Sequence, residues 1–280
     1  MSAALVQPAA WLRMKGVLHD LDRVKTPEAA LDAMGGVLDL RAYDWAQAAD
    51  APLRADEIEW LTYATQVEWG TEHYFAVLDI SRDPLVHRFL RVWLEQEVVH
   101  ADLLRRLLAA HAVEVGPVHE ARSKRLARWR GKQINRAARR VIGDDFFAVH
   151  MAWGAVNELS TQRFYGVIRS RTSNPGLRDI LRDIMGQEAL HYAFYRNVAI
   201  RRLTGNPRAQ RIVRWALDKL WAPVGVGLKT RRDAHRIIAG ILGNSPEVAD
   251  QMDAQIDRMP GLRGLGLARR TLDRALATAG

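Results

Sequence analysis

With 280 residues and 48% hydrophobic side chains, the chain can bury one large core or at most two smaller ones; 10 prolines and 20 glycines argue against a fibrous or disordered polymer. It has no cysteine, which excludes disulfides, thiolate zinc sites, cysteine-ligated iron–sulfur clusters and cysteine nucleophiles. The net charge of +9 favours acidic partners: nucleic acid, anionic lipid or an acidic protein.

The first residues, MSAALVQPAAWLRMKG, lack the basic start and long apolar stretch of a signal peptide, and no apolar run approaches the length of a membrane span. The expectation is a cytoplasmic protein with no membrane span. Strand signals are nearly absent, and apolar residues recur at three- and four-residue steps, which predicts amphipathic helices. After an N-terminal extension (1–53), a long helix is predicted over 54–80 and stopped by SRDP. A second is predicted over 85–113, broken by VGPV. A basic segment, 121–143, follows, with nine Lys or Arg and no Asp or Glu. A third helix is predicted over 144–171, ended by SNPG, and a fourth over 177–203, ended by TGNP. Shorter helices fill 204–280.

The long helices contain an internal repeat. VEWGTEHYFAVL (67–78) aligns with NELSTQRFYGVI (157–168), and EVVHADLLRRL (97–107) aligns with EALHYAFYRNV (188–198). Two similar helical hairpins are expected, packed as one four-helix bundle over about 54–203. The whole chain reads as a single all-α domain with extra N- and C-terminal helices.

Each hairpin has its turn midway between a Glu on its first helix and a Glu-x-x-His on its second. Glu68 is thus level with Glu97 and His100, and Glu158 with Glu188 and His191. Residues three apart share a helix face. Four carboxylates and two imidazoles therefore converge inside the bundle. Buried carboxylates cannot all stay ionised without cations, and mixed oxygen and imidazole ligands suit iron or manganese better than calcium or magnesium. A pair of metal ions is expected, with Glu97 and Glu188 bridging. One Glu from each of two helices and Glu-x-x-His from the other two is the di-metal pattern of ferritin-like bundles. Glu72, one turn from Glu68, is the alternative ligand; its repeat partner is Gln162, so Glu68 is preferred. The plain alternative for the whole set is salt-bridging residues on solvated faces.

RVWLEQEVVHADLL (91–104) resembles the Trp-x-x-x-Glu-x-x-His-x-Asp-Leu-Leu segment of the soluble acyl-acyl-carrier-protein desaturases, particularly the short actinobacterial type. NELSTQRFY (157–165) resembles the family's Glu-x-x-Thr segment, and the resemblance covers roughly 54–203. It implies a ferritin-like di-iron enzyme that uses O2 and two electrons to oxidise a fatty acyl chain carried by an acidic acyl carrier protein. It also implies Glu158 as a ligand and the Thr161 hydroxyl beside the metals, and it fits a homodimer. No flavin or iron–sulfur motif is present, so an external electron donor, such as a ferredoxin, is expected. Where the family carries an acid before each Glu-x-x-His, this chain has Gln96 and Gln187; where the family carries Arg before each His, it has Val99 and Leu190. A neutral amide can orient a ligand but delivers protons less readily than an acid. Metal binding with slow or absent turnover of ordinary saturated acyl carriers is therefore expected. Hydroxylation or N-oxidation of a small molecule, iron storage, and a catalytically silent carrier-binding protein are the other readings.

The segment 121–143 is the expected docking surface for the carrier, through residues such as Arg122, Lys124, Arg125 and Arg128; a solvated basic helix is the alternative. Trp129 is its single large aromatic residue, which disfavours single-stranded nucleic acid. Most aromatic residues flanking the ligands, among them Trp93, Phe164, Tyr165 and Tyr195, are expected in the core, with some lining an acyl tunnel. His73, His87, His111 and His150 have no repeat partner and read as structural or exposed.

Overall fold

The computed structural model describes residues 24–75, 83–116, 140–226 and 229–279; the side chains of 72–75 and 279 lie outside that description. Four long helices form the centre: α3 (Ala55–Phe75), α4 (Pro84–Ala110), α5 (Asp145–Arg171) and α6 (Pro175–Leu203). Two short α-helices, α1 (Pro27–Ala33) and α2 (Trp45–Asp50), precede them, with a single 3-10 turn (Leu40–Ala42) between the two. Four follow: α7 (Pro207–Lys219), α8 (Arg231–Leu242), α9 (Glu247–Ile256) and α10 (Leu267–Ala279). The protein is all-helical among the described residues, a helical bundle with additional terminal helices, as expected.

The same local signal starts many of these helices. A side chain that accepts a backbone N–H is followed directly by proline at the first helical position: Thr26-Pro27, Asp83-Pro84, Asn174-Pro175 and Asn206-Pro207. The cap satisfies an orphan donor, and proline has no N–H to lose there. From the sequence, SRDP and SNPG are stop signals, with the following helices expected from 85 and 177. The structure begins them at Pro84 and Pro175, because a capped proline opens a helix as well as closing the preceding chain. The second long helix ends at Ala110, short of the expected 113. Ala112 takes a left-handed conformation, φ 58°, and Val113 N–H returns to the Leu108 carbonyl at 2.9 Å. The end of the first helix beyond Phe75 lies outside the described residues.

α3 pairs with α4, and α5 with α6, giving the two expected hairpins. The second pair is the more intimate. At Gly154 on α5, a Cβ would lie 2.5 Å from the Tyr195 ring of α6, so glycine is what lets that ring reach the helix backbone. Phe89 of α4 stacks on Phe194 of α6 with centroids 3.8 Å apart, fastening one hairpin to the other.

The terminal segments are packed onto the bundle. The Val24 carbonyl accepts the Asn197 amide at 2.9 Å, and the Asn174 amide bonds the Ala48 and Ala51 carbonyls at 2.8 and 2.6 Å. On the other side, Trp221 Nε1 donates to Asn157 Oδ1 at 3.0 Å, and Arg171 donates to the Gly240 carbonyl and Ser245 Oγ. No described helix is long and apolar enough to cross a membrane. The docking segment expected at 121–143 lies outside the described residues up to 139.

Candidate metal centre

Each central helix contributes to one buried cluster. Glu68 comes from α3, Glu97 and His100 from α4, Glu158 from α5, and Glu188 and His191 from α6. All six are buried, with both imidazoles and Glu188 at 0% exposure. Their donor atoms fall into two overlapping groups, Glu68–Glu97–His100–Glu188 and Glu97–Glu158–Glu188–His191, each within 4.8 Å and each able to hold a metal ion. Glu97 and Glu188 belong to both groups. The side chain of the alternative ligand, Glu72, lies outside the described residues.

Nδ1 of each imidazole faces the carboxylates. His100 Nδ1 lies 3.1 Å from Glu188 Oε1, and His191 Nδ1 lies 3.2 Å from Glu97 Oε1 and 3.5 Å from Glu188 Oε2. The opposite nitrogens are held by glutamines in a crossed pattern. Gln96 of α4 holds His191 of α6 (Oε1 to Nε2, 2.8 Å), and Gln187 of α6 holds His100 of α4 (2.9 Å). The amide nitrogens leave no doubt about which way each glutamine points. Gln96 Nε2 donates to the Met34 and Gly36 carbonyls at 3.0 Å each, and Gln187 Nε2 to the Gly36 carbonyl at 2.9 Å. Carbonyls only accept, so each Oε1 must accept from an imidazole Nε2–H. Each Nδ1 is therefore turned into the cluster, where it presents the lone pair a metal ligand needs once any proton on it is displaced.

Two carboxylates have partners of their own. Glu158 Oε1 accepts from Trp93 Nε1 at 3.1 Å, and Glu68 Oε1 accepts a short bond from the Tyr165 hydroxyl, 2.5 Å. Beyond these, Glu97 Oε1, both oxygens of Glu188, and Nδ1 of both histidines are buried with no hydrogen-bond partner. Buried polar atoms without partners are rare and costly. Here they point at one another, and a cation between them is the partner that fits.

The titration behaviour follows from the same crowding. Burial, with the neighbouring Glu188 carboxylate, raises Glu97 to about 7 and Glu158 to about 8. Burial and then Glu97 push Glu68 well above the usual carboxylate range. Burial lowers His100 to about 4. Burial also opposes a charged His191, but the Glu158, Glu188 and Glu97 carboxylates outweigh it and raise that imidazole well above its ordinary value. Without a cation, protons on carboxylates and on one imidazole supply the missing positive charge.

Known proteins add nothing to this geometry. No family model, curated protein or solved structure matches the chain.

All six expected ligands are brought together. Thr161 sits in the wall of an adjoining cavity of about 70 Å³, which Glu68 and Tyr165 also line. The remaining walls are mostly apolar: Trp60, Val67, Phe164 and Ile168 from α3 and α5, and Ile237, Ile238 and Ile241 from α8. Of the aromatic residues flanking the ligands, Phe164 and Tyr165 line this cavity, whereas Trp93, Tyr192, Phe194 and Tyr195 are core. His111 is structural, with Nε2 2.9 Å from the Ala48 carbonyl. Sequence reasoning did not find the crossed glutamine locks, the Met34 and Gly36 carbonyls that aim them, or the Tyr165 bond to Glu68. A signal existed for the glutamines, since Gln96 and Gln187 occupy equivalent places in the repeat. Tyr165 aligns with Phe75 and gave none.

Proposed function

We propose that the protein is an O2-dependent di-iron oxidoreductase acting on a fatty acyl chain carried by acyl carrier protein, in the manner of the soluble desaturases. The observation that carries this reading is the buried repeat of Glu and Glu-x-x-His whose unpartnered donor atoms face one another beside an apolar cavity. Glu68, Glu97, His100, Glu158, Glu188 and His191 would hold two iron ions, with Glu97 and Glu188 shared. Manganese is the alternative for the same ligands. Bound there, the metal pair would supply O2 activation and a two-electron oxidation, with electrons from an external donor such as a ferredoxin.

The protein's own residues have separable tasks. Gln96 and Gln187 fix both imidazoles with Nδ1 inward. Tyr165 holds Glu68 through its hydroxyl proton. The aliphatic and aromatic walls exclude water and receive the acyl chain. Thr161, in that wall, offers a hydroxyl beside Glu68. The glutamine amides orient ligands but do not hand on protons readily, which makes turnover slow with ordinary saturated carriers.

Elemental analysis of protein from iron-rich medium should give two metal ions per chain, and the double variant Glu97→Ala with Glu188→Ala should bind none. Full occupancy in that variant would overturn the ligand assignment. Single-turnover oxidation of the chemically reduced, metal-loaded protein with stearoyl- and palmitoyl-carrier protein should yield an unsaturated acyl product by mass spectrometry. A hydroxylated or N-oxidised product would move the reading to an oxygenase. No product from metal-loaded, reduced protein would leave a silent carrier-binding protein.

A further inference from the structure

The cavity beside Glu68 adjoins a second, polar pocket of about 60 Å³, and the two share a wall made by Trp221, Pro223 and Thr271. The polar pocket is strongly basic. Arg231 and His235 of α8 and Arg270 and Arg274 of α10 line it, against one carboxylate, Asp218. Asp218 is already committed, with Arg270 at 2.7 Å on one oxygen and Lys219 at 2.7 Å on the other. Arg231 and Arg274 make no ion pair among the described residues. His235 lines the same pocket, its imidazole depressed by burial and then by the Arg231 and Arg274 charges, with Nδ1 3.2 Å from Thr278 Oγ1. Two guanidiniums without an ion-pair partner, in a pocket that adjoins an apolar cavity, match a ligand with a fatty tail and an anionic end. Guanidinium is the side chain best suited to carboxylate and phosphate oxygens.

We propose that Arg231, His235 and Arg274 form an anion-binding site in the pocket that adjoins the cavity, which anchors the carboxylate or phosphate of an amphiphile whose aliphatic tail enters the apolar cavity that Glu68 lines. This places recognition of the substrate's charged end on α8 and α10. It rests on the reading of the apolar cavity as the acyl site, and not on metal binding or turnover.

The test uses the full chain and calorimetric titration with decanoate, decyl phosphate and uncharged decanol. Both anions should bind at least tenfold more tightly than decanol. The double variant Arg231→Ala with Arg274→Ala, both exposed side chains, should lose that advantage tenfold or more while binding decanol within twofold of the parent. The corresponding double Lys variant should recover part of it. Tighter binding of decyl phosphate than of decanoate would assign the site to a phosphate ester, such as the arm of a carrier; the reverse order would assign it to a free acid. Anions binding no more tightly than decanol, or affinities untouched in the double Ala variant, would overturn the site. Because the titration needs no metal, reductant or O2, absent turnover would count against the proposed oxidoreductase and leave this site standing.

Discussion

Gln96 and Gln187 illustrate how a neutral residue can define a metal site. Each accepts the Nε2–H of the histidine on the opposite helix and is itself aimed by carbonyls of the N-terminal segment. Replacing either by leucine removes the acceptor and lets the imidazole rotate or change tautomer. Partners of this kind typically contribute 10–100-fold to metal affinity. Gln96→Leu and Gln187→Leu should each weaken cobalt(II) binding by about that factor in an optical titration, whereas Gln96→Glu, which keeps the acceptor for His191 but loses the donations to the Met34 and Gly36 carbonyls, should lose less than Gln96→Leu. Equal affinity in the Leu and Glu variants would show that the lock does not position the ligand.

At the scale of elements, the closeness of α5 and α6 depends on one small residue. Gly154→Ala places a methyl 2.5 Å from the buried Tyr195 ring, which also packs edge-on against Phe89 and Trp93 beside the cluster. Over-packing of this kind costs about 1–3 kcal/mol, so the variant should unfold at lower denaturant with an unchanged slope. A double variant with Tyr195→Phe keeps the clash and should not recover; one with Tyr195→Ala removes it and should recover part of the G154A penalty relative to Tyr195→Ala alone. At the other face, Gly225 takes φ 88° with its would-be Cβ 2.1 Å from the Tyr63 hydroxyl. That close approach seats the 221–226 loop, including Trp221 and Pro223, against α3 as part of the cavity wall.

For the whole molecule, the cluster couples folding to pH and to metal. Glu97 and Glu158 titrate near 4.5 when unfolded and at about 7 and about 8 when folded, so the metal-free fold binds protons that the unfolded chain has released. Stability from this source is complete below about pH 4.5 and is lost as pH rises toward 8. The metal-free protein should therefore melt at progressively lower temperature between pH 5 and pH 8. Cobalt(II) or iron(II) should restore the loss, because a bound cation replaces those protons; a ligand at a thousand times its dissociation constant stabilises by about 4 kcal/mol. Metal binding should release protons, and its affinity should rise across the same window. A melting temperature of metal-free protein that is flat from pH 5 to 8 would contradict the raised carboxylates.

The all-helical class, the two hairpins and the six convergent residues were legible in the sequence, because 3.6-residue periodicity, capped prolines and a doubled Glu-x-x-His are local or repeat-level signals. Helix ends were misjudged at Pro84, Pro175 and Ala110 because caps and left-handed residues act over only a few positions. What only the tertiary structure decided are contacts between elements distant in sequence: Gln96 with His191, the Gly36 carbonyl with both glutamines, Tyr165 with Glu68, and Trp221 with the cavity. A hydrogen bond across sixty residues or more leaves no periodic trace in the chain, since its geometry exists only once separate segments have packed and placed a donor opposite an acceptor.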